Sequence, residues 1–414
     1  MPHLGGGVGK SLSSLVLSFM GTDYHHSFLL LEQPNKRHFI DKIIDLGCKA
    51  YVQPDDETIS KLISNADIVQ LEWWNHPATF QFLCTNNLPK MRLIVWCHVS
   101  GIYTPITPKK LIRLSKYFLF TSECSFKADN MINLDEEDKL RLGVVSSGTG
   151  FKLEKIREHE LQSQLSYGYM GSLNPSKIHP KFIDYLSEVS TSEFKVSIWG
   201  DDFYKDMLIY QCEALGHHDL IEFKGYTNDP VTALASLDVF VYLLNSTHYG
   251  TAENVLLEAM SLGVIPIVMN NQAEIAIVEH GKTGLVVSNQ KEFVEAIHWL
   301  ENNPDERKLM SGNVSKKIAE QYSPEVMFQS MRSYYDKSIS SLKTSIDFKS
   351  IFGDDQYDWY MACQKETKAA CSETDDSVRN NWYEESKGSL KHYLSYFPDN
   401  IRLNKISNDM NNKS

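Results

Sequence analysis

The sequence predicts an α/β protein made of two doubly wound parallel-sheet domains. Short apolar runs alternate with polar stretches long enough for crossover helices, which is typical of βαβ units. This alternation stops at a charged, apolar-poor segment, KLEKIREHELQSQ at 152–164, and then starts again. The chain of 414 residues is also long enough for two or three domains that each bury a core.

The apolar runs are predicted to be strands. Six precede the charged segment, at 27–32, 49–54, 67–74, 92–99, 116–123 and 142–148. Six follow it, at 166–172, 194–200, 220–226, 238–244, 263–269 and 283–287. We therefore expect an N-terminal domain over 1–150, a linker over 151–165 and a second domain over 166–345. The carboxyl ends of the strands in the two domains are expected to face a shared cleft.

Beyond residue 345 the alternation gives way to aromatic and acidic sequence. The clustered aromatic side chains are too apolar for a free tail, so we expect 346–403 to pack onto the body of the protein. The last ten residues are polar, and we expect them to be disordered. The aromatic residues concerned are Trp359, Trp382, Tyr383, Tyr393, Tyr396 and Phe397.

Charge and composition restrict the partners and the location. The 53 acidic residues against 41 basic ones give a net charge of −12, so nucleic acid is not expected as a partner. The seven cysteines lack the C-x2-C spacing of a zinc site and suit a reducing cytoplasm. The first residues show no signal-peptide pattern, and no apolar run approaches the roughly 18 to 20 residues of a membrane span. We expect a cytoplasmic protein that meets a membrane, if at all, from its inner face.

One segment offers a route to such a membrane contact. In TPKKLIRLSKY (107–117), Lys109, Arg113 and Lys116 fall on one stripe of a predicted helix. The stripe could rest on anionic lipid, and a solvated helix face is the alternative.

A glycine-rich stretch near the start, PHLGGGVGKSL (2–12), matches half of a nucleoside-triphosphate P-loop. Gly9, Lys10 and Ser11 fit the end of the pattern G-x-x-x-x-G-K-[ST], but Leu4 stands where its first glycine belongs. A P-loop also follows a buried strand, for which there is no room before Leu4. An ATPase is therefore disfavoured.

The segment after the tenth predicted strand carries the most chemical information. Thr251 is suited to cap a helix whose first turn holds Glu253 and Asn254, and Gly263 suits the end of that helix. The free N–H groups and positive dipole of such a helix start favour a phosphate. Glu258, one turn beyond Asn254 on the same face, could accept two hydrogen bonds from a ribose diol.

These residues resemble a known family. NVLLEAMSLGVIPIV (254–268) is similar to the second half of the Glu-x7-Glu motif of the retaining GT-B glycosyltransferases, family 4-like, group 1. FKGYTNDPVTALASLDVFV (223–241) and EHGKTGLVV (279–287) resemble the segments that flank this motif. The resemblance is specific over 167–287, weaker over the first domain and absent after 345. It implies two Rossmann-like domains and transfer of a sugar from a nucleotide-diphosphate sugar, without a metal or other cofactor.

The resemblance also implies which residues bind the donor. It places Glu258 against the nucleotide ribose, and it places the start of the helix, with Thr251, Ala252 and Asn254, against the donor. Gly250 stands where the family has its first glutamate.

Two departures from the family pattern concern acidic and basic side chains. With Gly250 in the position of the first glutamate, Glu253 is a nearby substitute. Ser172 stands where the family has an arginine, which leaves Lys177 as the cation that binds the diphosphate.

Two features of the first domain complete the resemblance. His98 ends a predicted strand at a carboxyl edge, where the family often has a histidine that contacts the donor sugar, and a satisfied core histidine is an equal alternative. The glycine-rich turn resembles the family's first turn, with Gly6 and Gly7 close to donor phosphates or acceptor and Lys10 in the helix behind. The strand that should precede this turn is missing, so we expect the natural reading frame to extend upstream by roughly five to ten residues of apolar strand.

The resulting expectation is a retaining hexosyltransferase-like enzyme with a glycan or lipid-linked acceptor, in surface polysaccharide biosynthesis. Its candidate catalytic residues are His98, Lys177 and Glu253. A GT-B protein that has lost turnover and serves as a binding or assembly partner is the main alternative, because of Gly250 and Ser172. A P-loop nucleoside triphosphatase, and another sugar-nucleotide enzyme of the same fold such as an epimerase, also stay open.

Overall fold

The computed structural model describes most of the chain in two compact units. The described residues are 1–34, 36–149, 164–190, 193–251, 253–364 and 387–411. Unit 1 comprises Met1–Ser147, Tyr249–Thr251 and Met327–Ser414, and unit 2 comprises Gly148–His248 and Ala252–Val326.

In its described part, unit 1 contains six parallel strands in two sheets. They are β1 (Ser27–Leu30), β2 (Lys49–Val52), β3 (Val69–Trp73), β4 (Leu93–Cys97), β5 (Tyr117–Phe120) and β6 (Leu142–Val144). Strands β1 and β2 pair with each other, and the other four form a sheet in the order β3-β4-β5-β6. Every residue of β4 is buried, which explains why this strand is a continuous apolar run in the sequence.

Among the described residues up to Ser147, seven α-helices accompany these strands. They are α1 (Gly6–Phe19), α2 (His38–Asp45), α3 (Asp56–Asn65), α4 (Pro77–Thr85), α5 (Lys109–Leu114), α6 (Asp129–Ile132) and α7 (Glu136–Lys139). Before α1, the carbonyl oxygens of Met1 and Pro2 accept hydrogen bonds from the residues that follow β1, at 3.0 and 2.9 Å. The upstream strand stays a prediction.

The residues of unit 2 that the structure describes form one six-stranded parallel sheet. Its strands are β7 (Tyr167–Met170), β8 (Val196–Trp199), β9 (Ile221–Gly225), β10 (Val239–Tyr242), β11 (Ile265–Met269) and β12 (Leu285–Val287). Their order is β12-β11-β10-β7-β8-β9, so the direction of winding reverses between β7 and β10. In doubly wound sheets a ligand binds at the carboxyl ends of the strands where the order reverses. Each of the twelve predicted apolar runs contains a strand.

The helices of unit 2 lie between its strands and after them. They are α8 (Phe182–Ser187), α9 (Lys205–Ala214), α10 (Pro230–Ala235), α11 (Asn254–Ser261), α12 (Gln272–Ile275), α13 (Gln290–Asn302) and α14 (Pro304–Gln321). As predicted, Gly263 follows the end of α11. Its φ is 79°, and the main-chain N–H of Val264 donates to the carbonyl of Ala259 at 3.1 Å.

The predicted domain boundary at residue 345 differs from the structure. Helix α15 (Pro324–Ile339) belongs to unit 1 from Met327 onward. Its Phe328 ring lies 4.7 Å from the ring of Phe19 in α1, and Met331 and Tyr335 are buried in the same cluster. The apolar stripe of α15 thus packs against α1 of the first domain. This contact could not be predicted from sequence, because the two helices lie about 300 residues apart.

The described part of the C-terminal extension is helical. Its helices are α16 (Phe348–Phe352), α17 (Gln356–Met361), Leu390–Tyr396 and Ile401–Asn411. The Phe352 ring stacks on Trp73 at 5.5 Å, and Trp359 and Tyr393 are buried. Trp382 and Tyr383 lie outside the described residues.

The disorder predicted for the last ten residues is wrong for those that the structure describes, because helix Ile401–Asn411 reaches Asn411. Leu403 is buried, and Ile406 and Met410 pack against the same core. The spacing of these three residues forms an apolar helical stripe that the polar composition hid.

Gly388 tests how tightly the extension docks. Its φ is 69°, and a Cβ there would lie 2.2 Å from the carbonyl oxygen of Asn75. We expect Gly388→Ala to lower the free energy of unfolding by roughly 2 to 4 kcal/mol, from backbone strain plus the clash. Gly47→Ala is the matched control, since Gly47 has φ 83° and open space around it. Chemical denaturation should show the smaller loss for Gly47→Ala, and equal losses would contradict the docking.

Candidate functional site

The loops after β7 and β10 meet at the reversal point of the unit 2 sheet, and they carry Lys177 and Glu253. The main-chain N–H of Asn245 donates to the carbonyl of Lys177 at 2.9 Å. The Asn245 side-chain amide donates to the carbonyl of Pro175 at 3.0 Å. These bonds tie the two loops together, so Lys177 is positioned by the backbone of the neighbouring strand end.

Glu253 is the centre of the polar contacts at this point. The Lys177 Nζ lies 2.6 Å from its Oε2, and the hydroxyl of Tyr242 donates to the same oxygen at 2.5 Å. The Lys177 side chain is 13% exposed and that of Glu253 only 4%. Glu253 adopts a left-handed backbone, φ 41° and ψ 68°, directly before α11. A strained, non-glycine residue at a helix start that also carries a buried charge is typical of a functional site.

The electrostatics favour the charged form of Glu253. Burial by itself opposes that form, but the charges of Lys177 and His248 and the hydrogen bonds from Lys177 and Tyr242 outweigh it and lower the pKa of Glu253. Burial and the nearby Glu253 carboxylate raise the pKa of Tyr242 well above its ordinary value. Tyr242 is therefore a hydrogen-bond donor to an ionised carboxylate at physiological pH.

His248 connects Glu253 to a second buried carboxylate. Its Nδ1 lies 3.7 Å from Glu253 Oε1, and its Nε2 lies 3.0 Å from Glu274 Oε1. Glu274 belongs to α12, which follows β11, so three neighbouring strand ends contribute to this cluster. The cluster fixes the loop that leads into α11.

Two sets of side chains in the described residues have possible metal-ligand atoms within 4.8 Å of one another. In the set His248, Glu253 and Glu274, the Lys177 ammonium already lies against Glu253, which disfavours a further cation.

The second set is His3, Glu32 and His76. The Nδ1 of His76 accepts from the main-chain N–H of Ala78 at 3.2 Å, so Nε2 carries the proton of the neutral ring. A metal ion would need that nitrogen bare, so we interpret neither set as a metal centre.

Helix α11 begins two residues later than predicted. Its N-cap is Glu253, whereas Thr251 belongs to unit 1, where its hydroxyl bonds with that of Thr121. The predicted cap at Thr251 is therefore wrong, because the left-handed turn at Glu253 delays the helix. Asn254 is the first helical residue, and Glu258 is buried one turn further on. Gly250 is buried, and Ala252 lies outside the described residues.

In unit 1, His98 follows β4 and pairs with a carboxylate. Its Nε2 lies 2.6 Å from Oε2 of Glu72, with the two side chains 7% and 1% exposed. The ring also packs beside Trp96, with centroids 4.9 Å apart. Glu72 lies in β3, in register with Trp96 of β4.

The glycine-rich turn opens α1. Gly5 is the N-cap, and Gly6 and Gly7 are exposed at the helix start, with Gly6 at φ 55°. Lys10 and Ser11 lie inside the helix, as the sequence predicted. The Ser11 hydroxyl is buried and donates to the carbonyl of Gly7 at 2.9 Å, so it is not placed to bind the magnesium of a nucleoside triphosphate.

Solved structures share this architecture. HepE from Anabaena, in complex with UDP and glucose, has a TM-score of 0.64 at 14% identity, covering 81% of this chain and 97% of HepE. A glycosyltransferase from Rickettsia africae has a TM-score of 0.64 at 14% identity, covering 83% and 98% of the two chains. At this level of identity the likeness concerns the fold.

Sequence comparison finds a family that part of the chain is similar to. A family model described as Glycosyl transferases group 1 matches residues 152–317, the part that contains the cluster around Glu253. Residues 152–317 are therefore similar to the group 1 glycosyl transferases, and the chain shares the GT-B fold of the solved structures. The capsular polysaccharide biosynthesis glycosyltransferase CapM of Staphylococcus aureus is 27% identical over 227 residues, which is 49% of this chain. The match spans 57% of CapM.

The structure places some of the predicted site residues in unit 2 and the others in unit 1. Lys177, Glu253, Asn254 and Glu258 lie in unit 2, at the β7 loop and the start of α11. His98, Gly6, Gly7, Gly250 and Thr251 belong to unit 1.

The predicted basic stripe is wrong. Helix α5 ends at Leu114, so Lys116 does not share a helical face with Lys109. Arg113 pairs with Asp138 at 2.7 Å and Asp135 at 2.9 Å, which offsets its charge. In the described part of the chain, no helix combines the length and the apolarity that a membrane crossing requires.

Four residues that contact the predicted site residues were missed in the sequence. Tyr242, His248 and Glu274 all lie at or just after the carboxyl ends of strands, and position at strand ends was the available signal. Glu72 stands inside an apolar strand, and a charged residue in such a run indicates a buried partner.

Proposed function

We propose that the protein is a retaining glycosyltransferase that moves a hexose from a nucleotide-diphosphate sugar to a glycan or lipid-linked acceptor. The observation that carries this proposal is the buried Lys177–Glu253 pair at the start of α11, where the unit 2 sheet reverses its winding. HepE, of similar fold, is known in complex with UDP and glucose, which supports a nucleotide-sugar donor.

The charge of the leaving group explains the use of Lys177. The nucleotide diphosphate departs as an anion, and fixed positive charge near it stabilises the transition state. Lys177 and the positive dipole end of α11 supply that charge. An ammonium has three N–H donors, so Lys177 can keep its bond to Glu253 while it donates to a phosphate oxygen.

Glu253 substitutes in our proposal for the glutamate that the family has at the position of Gly250. The left-handed backbone of Glu253 holds its carboxylate beside Lys177, five residues before Glu258 in sequence. An ionised carboxylate there stabilises the positive charge that develops on the sugar. Glu258, buried on α11, holds the ribose of the nucleotide.

We also propose that the reaction needs no metal ion. The divalent cation of other sugar transferases neutralises the diphosphate, and Lys177 with the helix start serves that purpose here. The relationship to CapM supports a cytoplasmic step in the synthesis of a surface polysaccharide.

A donor screen tests the proposal. UDP-, GDP- and ADP-sugars are measured for binding and for slow hydrolysis in the presence of EDTA, and the anomer of the released sugar is determined by NMR. We expect one nucleotide class to bind and to be hydrolysed with retention. Retention in EDTA supports the mechanism, whereas a requirement for a divalent cation or an inverted product contradicts it.

Two further outcomes separate the alternatives. Binding without turnover across glycan and lipid-linked acceptors would favour a protein that serves as a binding partner. Gly250 and Ser172 suggest this alternative, because they replace the family's first glutamate and its arginine. Binding of ATP that is lost in Lys10→Ala would favour a nucleoside triphosphatase.

A further inference from the structure

A chain of hydrogen bonds in unit 1 ends at the His98 ring. The Tyr335 hydroxyl donates to Oε1 of Gln70 at 2.5 Å, and Nε2 of Gln70 donates to Oε1 of Glu72 at 2.6 Å. The other oxygen of Glu72 lies 2.6 Å from Nε2 of His98. Both oxygens of this buried carboxylate are therefore in use, one towards Gln70 and one towards His98.

The direction of each bond in this chain follows from the chemistry of the groups. The Glu72 carboxylate only accepts, so the NH2 group of Gln70 faces it; the amide oxygen of Gln70 then faces Tyr335 and accepts from its hydroxyl. A carboxylate only accepts, so the Nε2 of His98 must carry a proton and donate it to Glu72. In the neutral ring, Nδ1 is then the bare nitrogen. Among the described residues, Nδ1 has no hydrogen-bond partner.

We propose that Glu72 is a positioning residue that holds His98 with Nε2 protonated, so that Nδ1 accepts a hydrogen bond from a hydroxyl group of the substrate. The inference rests on the proposed glycosyl transfer and on the family resemblance, which implies that His98 contacts the donor sugar. The rings of Trp96 and Trp74, at 4.9 and 6.3 Å, restrict the rotation that could exchange the two ring nitrogens. The indole N–H of Trp96 donates to the carbonyl of Val145 at 2.9 Å, which fixes that ring in turn.

The chain of hydrogen bonds predicts that Glu72→Gln moves the His98 ring proton to the other nitrogen. Residue 72 then has one oxygen, and the NH2 group of Gln70 still faces it. When the new oxygen accepts from Gln70, the new NH2 group points to Nε2 of His98 and donates to it. The neutral ring must then carry its proton on Nδ1, which can no longer accept from a substrate hydroxyl.

The same logic predicts a rescue by exchanging the two residues. In Gln70→Glu/Glu72→Gln, the carboxylate at position 70 accepts from Tyr335 and from the new amide. The amide oxygen at position 72 then faces His98 and accepts from Nε2 again. The exchange keeps the net charge and the atoms of the two side chains, and Gln70 is half-buried, so a carboxylate there keeps access to water.

Long-range proton–nitrogen NMR of the histidine rings in the full chain tests this directly, with the His98 signals assigned by their loss in His98→Gln. We expect a proton on Nε2 in the unmodified protein, on Nδ1 in Glu72→Gln, and on Nε2 again in the exchanged variant. Glu123→Gln, an exposed residue of unit 1, is the charge-matched control and should leave the ring unchanged. A proton on Nδ1 in the unmodified protein, or no change in Glu72→Gln, would overturn the proposal. If Glu72→Gln does not fold, the unmodified and exchanged proteins decide the result.

Turnover provides the functional readout. We expect Glu72→Gln to lower kcat roughly tenfold to a hundredfold, the effect of one hydrogen bond involving a charged group, with nucleotide affinity unchanged. The exchanged variant should regain most of the loss. If the proton moves to Nδ1 in Glu72→Gln and kcat does not fall, Nδ1 of His98 does not accept a hydrogen bond from the substrate, and the proposal is overturned. If the unmodified protein transfers no sugar, the proposed function fails, and the ring measurement still decides whether Glu72 sets the His98 proton.

Discussion

Replacing Lys177 by alanine should both destabilise unit 2 and abolish tight donor binding. The substitution leaves the Glu253 carboxylate, 4% exposed, without its ammonium partner. Removing one partner of a buried ion pair typically costs about 3 to 5 kcal/mol of the free energy of unfolding. For a unit of this size the melting temperature should fall by roughly 6 to 20 °C. Differential scanning calorimetry measures this change.

The double variant Lys177→Ala/Glu253→Gln separates the two roles of the lysine. The amide at position 253 can still accept from Tyr242, and it needs no counter-charge, so most of the lost stability should return. Affinity for the nucleoside diphosphate should stay roughly a hundredfold or more below that of the unmodified protein, as expected when a charged contact is truncated. Affinity for the free nucleoside should not change. If stability and affinity return together, Lys177 serves the fold and does not bind the diphosphate.

The sheets were predictable because their strands are buried on both faces. Such strands are continuous apolar runs, as in β4 and β11, and each is separated from the next by enough chain for a helix. The local sequence pattern predicted the ends of helices and the boundary between the two units less reliably. Helix α5 stops at Leu114 although the basic spacing continues, and α15 leaves unit 2 at Val326 because its apolar stripe packs against α1.

The positions of the candidate residues in the fold were predictable, but their contacts were not. Glu258 and Lys177 were proposed from a motif and from their position after strands. The pairing of Lys177 with Glu253 depends on a left-handed residue before α11, and a glutamate is an unusual choice for that conformation. The chain from Tyr335 to Gln70 joins residues 265 positions apart, and no local pattern connects them. Polar networks of this kind depend on tertiary packing, which fixes where each donor meets its acceptor.

Glu258→Gln should remove the preference for ribose in the donor. The carboxylate is buried on α11, and in the proposed complex it accepts a hydrogen bond from each hydroxyl of the ribose. Glutamine keeps one acceptor oxygen, for the 3′-hydroxyl, and loses the bond to the 2′-hydroxyl. One hydrogen bond to a charged group contributes about 1.5 to 3 kcal/mol, so affinity for the nucleoside diphosphate should fall roughly tenfold to 150-fold. Isothermal titration calorimetry with the nucleotide selected by the donor screen measures the loss.

The 2′-deoxy form of that nucleotide makes the test specific. The unmodified protein should bind it more weakly than the ribose form, and Glu258→Gln should bind the two forms equally, because the group that distinguishes them is gone. Glu295→Gln is the matched control, since the Glu295 side chain is 63% exposed on α13 and its ion pair with Lys291 is at the surface. A ribose preference that survives in Glu258→Gln would show that another residue reads the sugar of the nucleotide. The buried Glu258 would then be a structural carboxylate of α11, and the resemblance of NVLLEAMSLGVIPIV to the donor motif would reflect the fold of the helix and not its chemistry.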